Sequence, residues 1–297
     1  MKKAIYYLMD VFTDQPFSGN QLAIFPEARL IDDELLPKIA RELNLSETVY
    51  LYPAEHPQAN FKMRIFTPGS ELPTAGHPTV GTGIFLARNI SHGFNSTYQI
   101  TLEQKIGLIS VEIKIENNLP VSATMTQPLP NFGKIFENRQ EMAELIGLNA
   151  ADLMDSPIQI ISCGVPYLII PVKTLDLVQQ IGFRLDRFNQ LKNKLEGAFV
   201  YAFTPYGVTE NGDVHGRMFA PEAGILEDPA TGSANGPLGC YLTYYQIKRS
   251  PYLSEQGFEM GRPSLIEIDI QSSKPQNITQ VKVGGKAQMI GKGEIYL

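Results

Sequence analysis

The chain has 297 residues, 43% hydrophobic and 19% charged, which is enough apolar content for a sizeable core and about two domains at ~100–200 residues each. Its formal charge of −6, from 31 acidic and 25 basic residues, argues against a nucleic-acid binder, and apolar runs such as 167–172 are strand-sized, far below the ~18–20 residues of a membrane span. Two cysteines (Cys163, Cys240) cannot build a disulfide framework, and four histidines (His56, His77, His92, His215) lack metal-ligand spacing, so the sequence predicts a cytoplasmic protein with no metal or other cofactor.

Residues 1–9 faintly mimic a signal peptide, but Asp10 follows at once and no small-residue cleavage site appears; they read as a strand. Residues 32–43 read as an amphipathic helix with Leu35, Leu36, Ile39, Ala40 and Leu43 on one side and Asp32 or Asp33 as cap. Residues 45–50 lead into an apolar strand that carries Glu47, and 62–66 alternate as a second strand. A break at 67–70 and a glycine turn open an apolar segment over 80–90. It is apolar nearly all round, so it predicts a helix buried inside a wrapped sheet, with Gly81 and Gly83 admitting close strands. Strand-like runs follow at 98–102, 107–115 and 121–126, with a turn cluster at 117–120 as the expected domain boundary. A helix at 137–148, with Met142, Leu145 and Ile146 inward, is the expected counterpart of 32–43. Strands at 158–162, 166–172 and 197–203, a second buried helix at 236–247, and strands at 264–270, 279–284 and 288–296 complete the chain.

The chain resembles itself. RIFTPGSELPTAGHPTVGTGIFLA (64–87) matches RMFAPEAGILEDPATGSANGPLGCYLT (217–243): Arg64, Phe66 and Pro68 align with Arg217, Phe219 and Pro221, and Gly76 and Gly83 with Gly232 and Gly239. Upstream, SGNQLAIF (18–25) resembles CGVPYLII (163–170) in the same order. A period of about half the chain means two similar domains rather than a solenoid.

Each glycine turn precedes a helix, and the first turn of a helix offers unpaired N–H groups at its positive end. Two such ends facing one another would grip a carboxylate or an enolate-like anion; the alternative is that each glycine only permits tight packing. Glu47 enters an apolar strand, where burial can raise a carboxyl pKa as a proton shuttle requires, or it is an exposed strand start. Asp228 precedes the second turn as a site carboxylate or an ordinary cap. His77 is a candidate acid or positioned donor, and Asn20 a candidate substrate ligand; the ordinary readings are a helix-start histidine bonded to backbone and a Gly-Asn turn.

At these residues the sequence resembles the PhzF-like phenazine biosynthesis family, which belongs with diaminopimelate epimerase and proline racemase. The markers are DVFTDQPFSGNQLAIF, LNLSETVYL, RIFTPGSELPTAGHPTVGTG and EDPATGSANGPLG, in order over essentially the whole chain. The resemblance implies an α+β fold of two similar domains, each an antiparallel sheet wrapped around a central helix, with the active site in the interdomain cleft. The expected domains are 1–118 plus 286–297, because the family's last strand rejoins the first domain, and 119–285. The epimerase branch uses two cysteines, one before each central helix; the aligned positions here are Ala75 and Thr231. Neither a methyl nor a neutral hydroxyl replaces a thiolate as a base at neutral pH. The PhzF-like branch uses a glutamate, matched by Glu47. Similarity also implies roles for His77, Asp228 and Ser233, with N–H groups of Gly76, His77, Gly232 and Ser233 as anion binders. Many members have Cys-Gly-His where this chain has Ala75-Gly76-His77.

The sequence therefore predicts a cofactor-independent isomerase. Glu47 would move a proton between carbons of a small carboxylate substrate, and a second copy of the chain would be the protein partner. A two-base racemase using Glu47 and Asp228, and a non-catalytic metabolite-binding protein, are the rival readings.

Overall fold

The computed structural model describes residues 2–88 and 95–297; the predicted helix end at Asn89 and Ile90, and His92, lie outside the described residues. The chain forms two compact units. One comprises Met1–Thr126, Glu222–Gly224 and Gly284–Leu297, the other Gln127–Pro221 and Ile225–Val283.

The first unit begins with β1 (Lys3–Val11) and β2 (Asn20–Phe25), then α1 (Leu36–Leu43), β3 (Glu47–Pro53), β4 (Phe61–Phe66) and β5 (Glu71–Leu72). The central helix α2 (Gly76–Ala87) precedes β6 (Asn95–Gln104), β7 (Gly107–Glu116) and β8 (Leu119–Gln127). In the second unit β9 (Asn131–Ile135), α3 (Arg139–Leu145), β10 (Gln159–Ser162) and β11 (Pro166–Pro171) lead to α4 (Leu175–Gln179) and α5 (Leu185–Leu191). Then come β12 (Phe199–Thr204), β13 (Val214–Ala220), β14 (Ile225–Asp228), α6 (Gly232–Tyr244), β15 (Tyr252–Gln256), β16 (Ser264–Lys274) and β17 (Asn277–Gly285). The last strand, β18 (Ala287–Tyr296), returns to the first unit and pairs antiparallel with β1 along its whole length.

The strand pairing is duplicated. In the first unit β1–β2, β3–β4, β4–β5 and β6–β7 are antiparallel, whereas β2–β3 and β4–β6 are parallel. In the second, β10–β11, β12–β13, β13–β14 and β15–β16 are antiparallel, whereas β11–β12 and β13–β15 are parallel. A parallel pair needs a long crossover. The stretch holding α1 supplies it between β2 and β3, and the stretch holding α4 and α5 supplies it between β11 and β12. Both faces of these strands are therefore covered, which is why they read as continuous apolar runs. On one face Ala23, Phe25 and Tyr50 join α1 residues Leu36, Ile39 and Ala40; in the second unit Leu168, Ile170 and Val200 join Leu145, Val178 and Phe188.

The other face wraps the central helix. Every residue of α2 except Leu86 is buried, and so is nearly all of α6 as far as Leu242. The matched glycines explain how. A Cβ at Gly83 would lie 2.8 Å from Val111 Cγ1 on β7, and one at Gly239 2.5 Å from Ile268 Cγ2 on β16. Each glycine costs about 1 kcal/mol of helix propensity against alanine and in exchange lets the sheet close on the helix.

Three expectations differ from the structure. The helix at 137–148 forms as α3, with Met142, Leu145 and Ile146 buried, but it precedes β10; the topological counterparts of α1 are α4 and α5. Neither Asp32 nor Asp33 caps α1: the helix follows a 3₁₀ turn over Asp33–Leu35, and Asp33 pairs instead with Arg64 at 2.9 Å. The turn at 117–120 joins β7 to β8, and the first unit continues to Thr126. Among the described residues no helix is long and apolar enough to cross a membrane, and no group of three or more His, Cys, Asp or Glu side chains could hold a metal ion.

Candidate functional site

In the first unit, β2, β3 and the start of α2 bring three of the expected residues together. Parallel pairing sets Glu47, the first residue of β3, opposite Leu22 of β2. Glu47 is 8% exposed rather than a solvent-facing strand start. His77, the second residue of α2, is 3% exposed, and its Nε2 lies 3.2 Å from Glu47 Oε2 without the alignment of a straight hydrogen bond. Its Nδ1 is 3.1 Å from Nδ2 of Asn20, which is fully buried on β2. With the amide donating, Nδ1 is the acceptor and Nε2 carries the ring proton, on the side of Glu47. Burial pushes the His77 imidazole down to about 3, slightly opposed by the backbone of Gln21. The ring is therefore neutral at pH 7, a donor and not a cation.

No side chain caps α2, because its N-cap residue is Ala75 in extended conformation. A serine or aspartate there could fold back onto the first-turn N–H groups; alanine offers them no acceptor. Behind this end a buried chain runs from Thr74 Oγ1 to Gln104 Oε1 (2.7 Å), from Gln104 Nε2 to Thr79 Oγ1 (2.7 Å), and from Thr79 Oγ1 to the Ala75 carbonyl (2.6 Å).

In the second unit Asp228 ends β14 and is 3% exposed. Thr231, at the N-cap of α6, does not cap the helix with its hydroxyl; it donates to Asp228 Oδ2 at 2.6 Å. Gln256 of β15 clamps the same turn, donating to the Asp228 carbonyl (2.7 Å) and the Thr231 hydroxyl (3.0 Å) and accepting from the Thr231 N–H (3.1 Å). Gln127 donates to the Gly232 carbonyl at 2.9 Å. Ser233, the second residue of α6, is part-buried, and its Oγ is 2.6 Å from the Tyr167 hydroxyl. Sequence reading missed Gln256, Gln127 and Tyr167. The two glutamines carry no local signal, whereas Tyr167 lies inside the weaker internal match.

The aligned arginines brace both turns. Arg64 of β4 holds Glu71 of β5 at 2.8 and 3.1 Å, and Arg217 of β13 holds Glu227 of β14 at 2.7 and 2.8 Å. Arg217 also donates to the carbonyls of Val178, Gln179 and Ile181. A bidentate pair of this kind fixes the short strand that delivers the chain to the helix start. The two cysteines are buried, with Sγ atoms 3.9 Å apart as thiols; the neighbouring Cys163 and burial both push the Cys240 thiol far up, so Cys240 is not poised as a nucleophile.

A family model described as "Phenazine biosynthesis-like protein" (PhzC-PhzF) matches residues 9–293. The chain is 32% identical to an uncharacterized isomerase of Clostridium acetobutylicum, over 100% of this chain and 99% of that protein. It is 31% identical to the trans-2,3-dihydro-3-hydroxyanthranilate isomerase of Pseudomonas fluorescens, over 98% and 99% of the two chains. Its structure superposes on a PhzF-family protein of Bacillus anthracis with a TM-score of 0.88 at 28% identity, covering both chains completely. A hydroxyproline epimerase of Agrobacterium vitis, at 12% identity and a TM-score of 0.68 over 99% and 91% of the two chains, shares the fold.

Proposed function

The chain belongs to the phenazine biosynthesis-like (PhzC-PhzF) family and is an isomerase, and we propose that it relocates a double bond in a small carboxylate substrate with Glu47 as the single proton carrier. The observation that carries this reading is the buried Glu47–His77–Asn20 row. Glu47 is a buried carboxylate at a strand start, 3.2 Å from the Nε2 of a neutral imidazole whose Nδ1 meets Asn20. Glu47 removes a proton from the activated carbon. His77 stays neutral, so it does not compete for that proton. The electron pair delocalises through the double bond, and protonated Glu47 returns the proton to another carbon on the same face. In this reading the first-turn N–H groups of Gly76, His77, Gly232 and Ser233, with the Ser233 hydroxyl, hold the substrate carboxylate and its developing charge. Asp228, tied to Thr231 and Gln256, positions the substrate.

Ala75 and Thr231 at the epimerase cysteine positions favour this chemistry over two-thiol epimerisation. The substrate of the Pseudomonas fluorescens relative is the first one to try. Incubation of the protein with trans-2,3-dihydro-3-hydroxyanthranilate in D2O, followed by NMR, should show a moved double bond, with the substrate's own hydrogen at the newly saturated carbon and deuterium there only as far as protonated Glu47 exchanges with solvent before return. Deuterium exchange at one carbon with the double bond in place would mean a racemase. Tight binding with neither change would mean a metabolite-binding protein.

A further inference from the structure

The two units hold the second residue of their central helices in parallel ways. In the first, Asn20 of β2 meets His77; in the second, Tyr167 of β11 meets Ser233. The internal alignment pairs 18–25 with 163–170, so Tyr167 stands at the position of Leu22, two residues along from Asn20. Side chains two apart on a strand share a face. That face of β2 is the one toward α2, since a Cβ at Gly81 of α2 would meet Leu22 Cδ2 at 2.8 Å. On β11, Leu168 and Ile170 enter the core against the crossover helices, which leaves Tyr167 and Ile169 toward α6. Val165, aligned with Asn20 itself, has no hydrogen-bonding side chain. The group that holds the second helical residue has thus moved one step along the same face, where the longer tyrosine spans the gap.

We infer that Tyr167 is a positioning residue that acts through Ser233 and sets the direction of its hydroxyl. Tyr167 is 2% exposed, so its O–H must be spent on a partner inside the protein. A phenol is the stronger donor of the two, so it donates to Ser233 Oγ at 2.6 Å. The serine oxygen then accepts on one lone pair, and its own proton turns outward to the ligand. The inference rests on the reading that Ser233 binds the substrate carboxylate.

The test is a double-mutant cycle on the full chain with anthranilate, a planar amino-carboxylate, as the probe in calorimetry. Tyr167→Phe removes only the hydroxyl. It should weaken anthranilate binding about tenfold, the worth of a hydrogen bond to a charged group, and Ser233→Ala should do about the same. Combined, the two changes should cost no more than either alone, because Tyr167 acts only through the serine. A Tyr167 hydroxyl that acts independently of the serine would cost the same in both backgrounds, so additive losses overturn the proposal. Normal binding by Tyr167→Phe beside a weakened Ser233→Ala overturns it while leaving the carboxylate reading intact. Normal binding by Ser233→Ala, or no binding by the wild-type protein, refutes the carboxylate reading and the inference with it. Thermal midpoints of all four proteins show that the losses do not arise from unfolding.

Discussion

Replacing Glu47 by glutamine should separate catalysis from stability. The side chain is 11% exposed, and the imidazole 3.2 Å away is neutral. The glutamine carbonyl oxygen can occupy the place of Oε2 beside the neutral ring, with no volume change. The swap keeps shape and packing, so the stability change should stay within ~1 kcal/mol, a shift of only a few degrees in Tm for a protein of this size. The amide cannot take up a proton at neutral pH. Positioned general-base catalysis is worth roughly 10²–10⁴ in rate, or about 2.7–5.4 kcal/mol of barrier. Turnover of trans-2,3-dihydro-3-hydroxyanthranilate, followed by the NMR signal of the moved double bond, should fall by that factor, while anthranilate binding changes much less. Asp228→Asn should lose less, because an asparagine oxygen can still accept from Thr231; an equal loss would point to a second base. Retention by Glu47→Gln of more than about a tenth of wild-type turnover refutes the reasoning outright.

Two other outcomes follow from the geometry. Burial holds His77 down at about 3, against ~6.5 in an unfolded chain, so below pH 6.5 the unfolded chain takes up a proton that the folded site refuses. The stability present above pH 6.5 should fall toward pH 3, by about 2 kcal/mol at pH 5, and His77→Gln should remove that slope. Urea midpoints at pH 8 and pH 5 check this; identical falls in both proteins would defeat it. Arg217→Met strands the Glu227 carboxylate and takes a donor from the carbonyls of Val178, Gln179 and Ile181 in a buried setting, and should cost about 3–5 kcal/mol, whereas Arg64→Met, in a pair about a quarter exposed, should cost about 1 kcal/mol. Equal urea-unfolding costs for the two arginines would show that burial does not set the difference.

Much of the fold was readable because the chain is written twice. Apolar runs that ignore helical periodicity, punctuated by glycines, pointed to both buried helices, which start at Gly76 and Gly232 themselves. Arg64 and Arg217, matched in the repeat, both form bidentate pairs, which the sequence match alone does not specify. The crossover helices were harder. One amphipathic stretch looks much like another, and only strand order separates α3 from the true counterparts α4 and α5. Glu47 could be nominated but not shown to be buried, since its burial depends on α2 arriving over the start of β3. Gln256 and Gln127 were invisible because their partners lie 25 or more residues away and are mostly backbone atoms, for which no side-chain pattern codes.

The pairing of β18 with β1 has a consequence for synthesis on the ribosome. Along the edge away from β2, the nine residues of β1 find their neighbours only within 287–297, so the first unit cannot finish until those residues have been made. At roughly 5–20 residues per second, β1 waits on the order of tens of seconds after it emerges, with one edge open to other strands. The second unit, nearly continuous from Gln127 to Val283, is complete before that. A chain terminated after residue 285 and released should therefore carry a protease-resistant second unit beside a protease-sensitive first one. Removing residues 287–297 from the folded protein should reproduce that half-folded state.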